Sequence, residues 1–224
     1  MEIRRPVVNL FLKIFLSIIC KIECKEYVEA LSKNKPLIVV FNHINFLEVP
    51  ILVTHSYPLH VTGLVKSETW KNPIFAFIFN TYKAIPIDRR GAFSDSFKQV
   101  KQMIDNGFYM CISPEGTRSK NGVLGRGKAG IVLLALEAGV PILPVAHYGG
   151  ENIWQNVRRL KRTKFNFKAG KPFRIKFDGV PCKEERESIT TEVMGQIAKL
   201  LPEEMRGIYS EQASLQDCKY LEYI

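Results

Sequence analysis

The sequence predicts an α/β fold, with a central mixed, mainly parallel sheet covered by helices on both faces and one further apolar helix ahead of it. Three observations carry that expectation. Short unbroken runs of β-branched and aromatic residues, such as Leu37-Ile38-Val39-Val40-Phe41, have the length and make-up of strands buried on both sides. Stretches with apolar residues three and four apart lie between them and read as helices with one buried face. The two kinds alternate along the chain, the order that parallel strands require when each connection crosses back over the sheet.

Taken in order, the chain opens with Arg4 and Arg5 and then an apolar run from Pro6 to Cys20, interrupted by Lys13. A spanning helix needs roughly 20 apolar residues, so this run is short. Asn9, Lys13 and Ser17 recur at helical spacing and give a narrow polar stripe on an otherwise apolar helix, which suits a membrane-associated helix lying in the bilayer interface. A helix packed on the protein's own domain remains open. So does a signal peptide, although Cys20-Lys21-Ile22-Glu23 is no small-residue cleavage site. The expected organisation is an anchoring helix over residues 1–22 and a single domain over 23–224.

Leu37 to Phe41, bounded by Pro36 and Asn42, is the first buried strand, and Val61 to Val65 the second. Ser67 begins a helical stretch through Trp70, Ile74, Phe77 and Ile78, and Lys83 to Ile87 resumes an extended pattern. Ser94 or Asp95 caps a helix that buries Phe97, Val100, Met103 and Ile104 and ends at Asn106-Gly107. Phe108 to Ile112 is a strand, Gly130 to Ala138 a helix stopped by Gly139, and Pro141 to Ala146 a strand. Lys164 to Ala169 and Phe173 to Phe177 alternate around Gly170-Lys171-Pro172 as an antiparallel pair. Lys183 to Leu201 is a helix with Ile189, Val193 and Ile197 on one face, stopped by Pro202. The fate of Glu203 to Ile224 is open.

With 46% hydrophobic and 24% charged residues the composition is that of a globular chain, and 224 residues suit a single core. The formal charge of +10 draws the chain to polyanions: nucleic acid, an anionic lipid surface or phosphorylated small molecules. No zinc-finger spacing, aromatic RNA-binding signature or glycine-rich dinucleotide fingerprint is present, so no nucleic-acid partner is expected. The five cysteines are odd in number and scattered, which fits a reducing compartment rather than a disulfide framework. The four histidines show no metal-ligand spacing.

Four groups of residues carry candidate chemistry. His43 follows the first buried strand directly, at the carboxyl end where open α/β sheets place their ligands. Glu48, five residues on across a tight turn, can hold the imidazole in one tautomer and stabilise its protonated form. Ser113-Pro114-Glu115-Gly116-Thr117-Arg118-Ser119 follows another strand: Gly116 lets backbone amides approach an anion, Thr117 and Ser119 offer hydroxyls, and Arg118 can grip a phosphate. Ile87-Asp88-Arg89-Arg90 ends a third strand, and Gly127-Lys128-Ala129-Gly130 opens a helix, a ready anion site.

In order and spacing, these blocks resemble the signature blocks of the glycerol-phosphate and lysophosphatidic acid acyltransferase family over about residues 35 to 178. Asn42, His43 and Glu48 fall on Asn-His-x-x-x-x-Asp, Ile87-Asp88-Arg89 on the second block, Pro114 to Ser119 on Phe-Pro-Glu-Gly-Thr-Arg-Ser, and Val140 to Val145 on Val-Pro-Ile-x-Pro-Val. Gly127, Gly130 and Lys66 resemble intervening residues. Glu48 departs from the family's usual Asp, and Ser113 from its commoner Phe.

The resemblance implies acyl transfer from acyl-CoA or an acyl carrier protein to a hydroxyl of lysophosphatidate, giving phosphatidate at the cytoplasmic face of the cell membrane. It implies His43 and Glu48 as catalytic residues, and Asn42, Lys66, Arg89, Glu115, Gly116, Thr117, Arg118 and Lys128 as substrate-binding ones. No cofactor or metal is required. Another acceptor, such as glycerol 3-phosphate or a different lyso-lipid, and a catalytically impaired membrane-binding relative stay open. Phe75, Phe77 and Phe79 are candidates for an acyl groove by composition, with plain core as the alternative.

Overall fold

The computed structural model describes residues 4–87, 94–119, 121–215 and 217–224. Helix α1 (Arg4–Ile19) runs straight into strand β1 (Cys20–Glu23) and helix α2 (Lys25–Ser32). Then come β2 (Ile38–Phe41), α3 (Glu48–His55), β3 (Val61–Lys66), α4 (Pro73–Thr81), β4 (Ile85–Ile87), α5 (Ser94–Asp105), β5 (Tyr109–Ile112), α6 (Gly130–Ala138) and β6 (Ile142–Tyr148). The last part holds α7 (Ile153–Arg158), β7 (Thr163–Ala169), β8 (Phe173–Ile175), α8 (Lys183–Leu200), α9 (Ser210–Ser214) and β9 (Leu221–Tyr223).

The sheet runs β1-β7-β6-β2-β5-β3-β4, with β8 and β9 extending it beside β6. Strands β6, β2, β5, β3 and β4 are mutually parallel, while β7 is antiparallel to β6 and β1 parallel to β7. The apolar runs are unbroken because both faces are covered. Ile38 and Val40 belong to a core with Val100 and Ile104 of α5, Val132 and Leu134 of α6 and Val193 and Ile197 of α8. Val39 and Phe41 belong to the opposite one, with Leu16 of α1, Tyr27 and Leu31 of α2 and Ile51 of α3.

Several expectations are corrected by packing. Lys164–Ala169 and Phe173–Phe177 do not pair with each other: β7 and β8 both lie antiparallel along β6, at Val145–Tyr148 and at Ile142. Gly170 donates to the Pro144 carbonyl at 2.9 Å, so the chain kinks past Pro172 along the same neighbour instead of turning back. The stretch from Ser67 is two pieces, a 3₁₀ turn over 67–71 and then α4. Pro73 holds Asn72 extended, at φ −87° and ψ 120°, and the Asn72 side chain caps α4 by accepting from Ile74 N at 3.0 Å and Phe75 N at 3.3 Å. The segment from Glu203 onward folds back, with α9 against α8 and β9 paired to β8. Residue 22, the expected end of the anchoring helix, lies within β1.

Helix α1 packs on α3 and α4, and its polar stripe splits: Asn9 is buried and accepts from the Tyr82 hydroxyl at 2.9 Å, Lys13 is half-buried and Ser17 exposed. Its outward face carries Val7, Leu10, Phe11, Ile14, Phe15 and Ile18, all exposed. Helix α4 beside it has no buried residue; Ile74, Phe75 and Phe77 are exposed, so the reading of Phe75 and Phe77 as plain core fails. Among the described residues no helix is long and apolar enough to cross a membrane.

Candidate active site

His43 leaves β2 at the carboxyl edge of the parallel strands, and the chain turns through Ile44–Leu47 into α3. Glu48 is the first residue of α3, so its carboxylate sits at the positive end of the helix dipole. It is fully buried, and its oxygens accept from Ile44 N at 3.1 Å and from Asn45 N at 3.0 Å while Oε1 is hydrogen-bonded to His43 Nδ1. With a carboxylate there, Nδ1 carries the proton and Nε2 keeps its lone pair. The His43 side chain is 23% exposed, so that nitrogen can be reached. The longer arm of glutamate is accommodated without losing the contact.

The loop from Ser113 is laced to the same turn. His43 N donates to Glu115 Oε1 at 2.7 Å, Ser119 N donates to His43 O at 2.7 Å, and Gly125 N donates to Glu115 Oε2 at 2.8 Å. Glu115, expected at the substrate, is buried, and each of its oxygens accepts from a backbone amide, so it staples two loops together. Burial pushes its carboxyl above the ordinary range, opposed by the bonds from His43 and Gly125.

Gly116 has φ +65°, which glycine alone adopts freely, and a Cβ there would stand 3.0 Å from Lys128 Nζ. The Lys128 ammonium thus lies across Gly116, held by the bond from Lys128 N to Pro114 O at 2.9 Å. Thr117 and Arg118 are exposed beside it, and neither Arg118 nor Lys128 pairs with a carboxylate among the described residues. Lys66 ends β3 on the same edge of the sheet, with its ammonium 3.0 Å from Glu68. Arg89 lies outside the described residues.

Asn42 was also expected at the substrate, and the structure places it between two strands. It is buried, and its side chain is consumed by the neighbouring strand: Nδ2 donates to His147 O and Oδ1 accepts from His147 N, both at 2.9 Å. His147 Nε2 returns a bond to Asn42 O at 2.6 Å and lies 3.8 Å from Glu48. Asn42 therefore joins the ends of β2 and β6 and holds His43 in place. Asn42→Ala strands two buried backbone groups of His147, at a cost of roughly 1–3 kcal/mol each, read as a lower midpoint in urea.

His147 is the residue that sequence reasoning missed. The available signal was its place just after the Val140–Val145 block, on a strand adjacent to β2. Burial holds it below the ordinary histidine value of 6.5, while Glu48 pulls the other way. The unfolded chain takes up a proton that the folded chain refuses, so this share of stability is whole above 6.5 and is lost as pH falls below it. His55 is held low by burial too and adds the same sign. His147→Gln is expected to flatten the acid-side slope by up to about 1.4 kcal/mol per pH unit, measured in urea melts at several pH values.

The family model for acyltransferases matches residues 21–148, more than half of the chain. This chain belongs to the acyltransferase family. Among curated relatives, it is 32% identical over 121 residues to the 1-acyl-sn-glycerol-3-phosphate acyltransferase of Pseudomonas aeruginosa, covering 53% of this chain and 46% of that protein. The Bacillus subtilis protein of the same name is 25% identical over 174 residues, with 77% and 84% covered. The chain spans about half the length, or less, of the first curated relatives it matches. In fold, this acyltransferase-family chain resembles the crystal structure of the 1-acyl-sn-glycerophosphate (LPA) acyltransferase PlsC from Thermotoga maritima, with a TM-score of 0.60 at 22% identity over 95% of this chain and 81% of that one.

Proposed function

We propose that the protein acylates lysophosphatidate to phosphatidate at a membrane surface, drawing the acyl group from acyl-CoA or an acyl carrier protein. The observation that carries the reading is the His43–Glu48 pair, bonded through Ser119 N to the loop that bears Arg118 and lies against Lys128, two cations with no carboxylate partner among the described residues. Nε2 takes the proton of the acceptor hydroxyl as its oxygen attacks the thioester carbonyl, and Glu48 stabilises the imidazolium that forms. The tetrahedral intermediate collapses, the C–S bond breaks, and the thiolate leaves. A thiol pKa of about 8.5 makes it a good leaving group, and the imidazolium can return the proton to it.

Arg118, Lys128 and the Gly116 loop grip the acceptor's phosphate, and Arg89 is proposed to add to them. Names of relatives at moderate identity support the acceptor. The exposed apolar faces of α1 and α4 support a membrane surface, and the cytoplasmic side follows from the donors. The test is thiol release from a long-chain acyl thioester by purified protein, with lysophosphatidate, glycerol 3-phosphate or another lyso-lipid as acceptor. Release that depends on lysophosphatidate is the expected result. Release equal with every acceptor, or with none, overturns the assignment.

A further inference from the structure

The connection between α7 and β7 holds a leucine where the backbone asks for glycine. Leu160 N donates to Val157 O at 3.0 Å and Lys161 N to Asn156 O at 2.8 Å, the paired bonds that close a helix with a left-handed residue at the first position beyond its cap. That residue is Leu160, at φ +53°. Glycine adopts this conformation freely and asparagine tolerates it, whereas a leucine there is strained. The side chain makes no compensating contact, being 97% exposed.

Its neighbours are equally unspent. Arg158, Arg159 and Lys161 are exposed and pair with no carboxylate among the described residues. Glu151, the nearest acid before α7, accepts instead from Gly149 N at 2.9 Å. Trp154, one turn ahead of Arg158, is 58% exposed and stacks on Phe46 of the catalytic turn, with ring centroids 5.4 Å apart. A leucine and a tryptophan held outward among three free cations match an anionic bilayer, whose headgroups take the charges and whose acyl boundary takes the apolar side chains.

The topology puts this loop on the working edge. Because β7 is antiparallel to β6, Thr163 begins at the edge where β6 ends, and β1 starts beside it with Cys20 opposite Thr163. Arg162 fastens the loop there by donating to Cys20 O through Nε at 3.0 Å and Nη2 at 2.6 Å. Cys20 directly follows α1, whose outward apolar face ends at the exposed Ile18. His43 leaves β2 at that same edge.

We propose that the Arg158–Lys161 loop is a second lipid contact, inserting Leu160 into an anionic membrane surface and turning the edge that bears His43 toward the bilayer. This rests on the reading that the protein works at a lipid surface, and the test separates the two. Cosedimentation with vesicles of phosphatidylcholine, with and without phosphatidylglycerol, is measured for the full chain, for Leu160→Gly, and for the triple variant Arg158→Glu, Arg159→Glu, Lys161→Glu. Leu160→Gly relaxes the backbone, so its melting temperature stays level or rises while binding falls about tenfold or more. Each charge removed weakens binding to the phosphatidylglycerol vesicles by roughly fivefold and leaves the neutral ones little changed.

Wild-type binding that both variants retain overturns the loop contact while leaving the membrane reading in place. Absence of wild-type binding overturns both. A triple variant that keeps vesicle binding but turns over a carrier-protein thioester poorly, with acyl-CoA turnover intact, would mark the patch as a dock for an acidic carrier protein and also overturn the proposal.

Discussion

Alanine at position 43 is expected to lower acceptor-dependent acyl transfer by on the order of 10²- to 10⁴-fold while leaving the fold intact. His43 is partly exposed and its ring contributes one bond, to Glu48. Without the ring, Glu48 stays at the head of α3 with the Ile44 and Asn45 amides still donating to it. The loss is therefore in kcat, with the melting temperature and the KM for lysophosphatidate close to wild type. An equal loss in the melt would mean that the ring matters to folding, and an unchanged kcat that another group takes the proton.

Glu48→Gln comes next in size. An amide still fills the space, but it cannot stabilise an imidazolium, and its NH₂ would face the amides of Ile44 and Asn45 or the Nδ1 proton of His43. A fall in kcat on the order of 10³-fold or more is expected, by the reasoning that applies to the acid of any base-and-orienter pair. Glu48→Asp keeps the charge and shortens the arm. Here α3 begins at Glu48 itself and the turn is shaped around the longer side chain, so a shift of about 1 Å is expected to cost up to roughly a hundredfold. The diagnostic is the order, with Asp well above Gln. Equal rates for the two would show that the carboxylate's charge does not matter.

Much of this was legible because each feature had a local cause. The strand at Leu37–Phe41 was announced by a β-branched run between Pro36 and Asn42, the α6 stop by Gly139, which adopts φ +64°, and the His43–Glu48 contact by five-residue spacing after a strand. What escaped had causes distant in sequence. The partners of β7 and β8 are set by β6, and the bend at Pro172 looks like a hairpin turn until Gly170 is seen to bond Pro144. Asn42 and Glu115 were read as substrate ligands from their blocks, and their structural bonds were not foreseen. Their side chains bond to His147, 105 positions away, and to His43 and Gly125, and no spacing reveals that.

The outward faces of α1 and α4 pose the same problem in reverse. Apolar residues at helical spacing imply a buried face, and for α4 the sequence pattern holds while the burial does not. The proposed lipid surface is a solvent that would reconcile the two.

The most direct measurement is mass spectrometry of product and protein after wild type and His43→Ala are each mixed with oleoyl-CoA and lysophosphatidate. Oleoyl carrier protein serves as the alternative donor. The account predicts phosphatidate in step with released thiol from wild type, no acyl group on the protein, and almost none of either product from the variant. Thiol release with the acyl group retained on the protein, or phosphatidate formed equally well without His43, would contradict it.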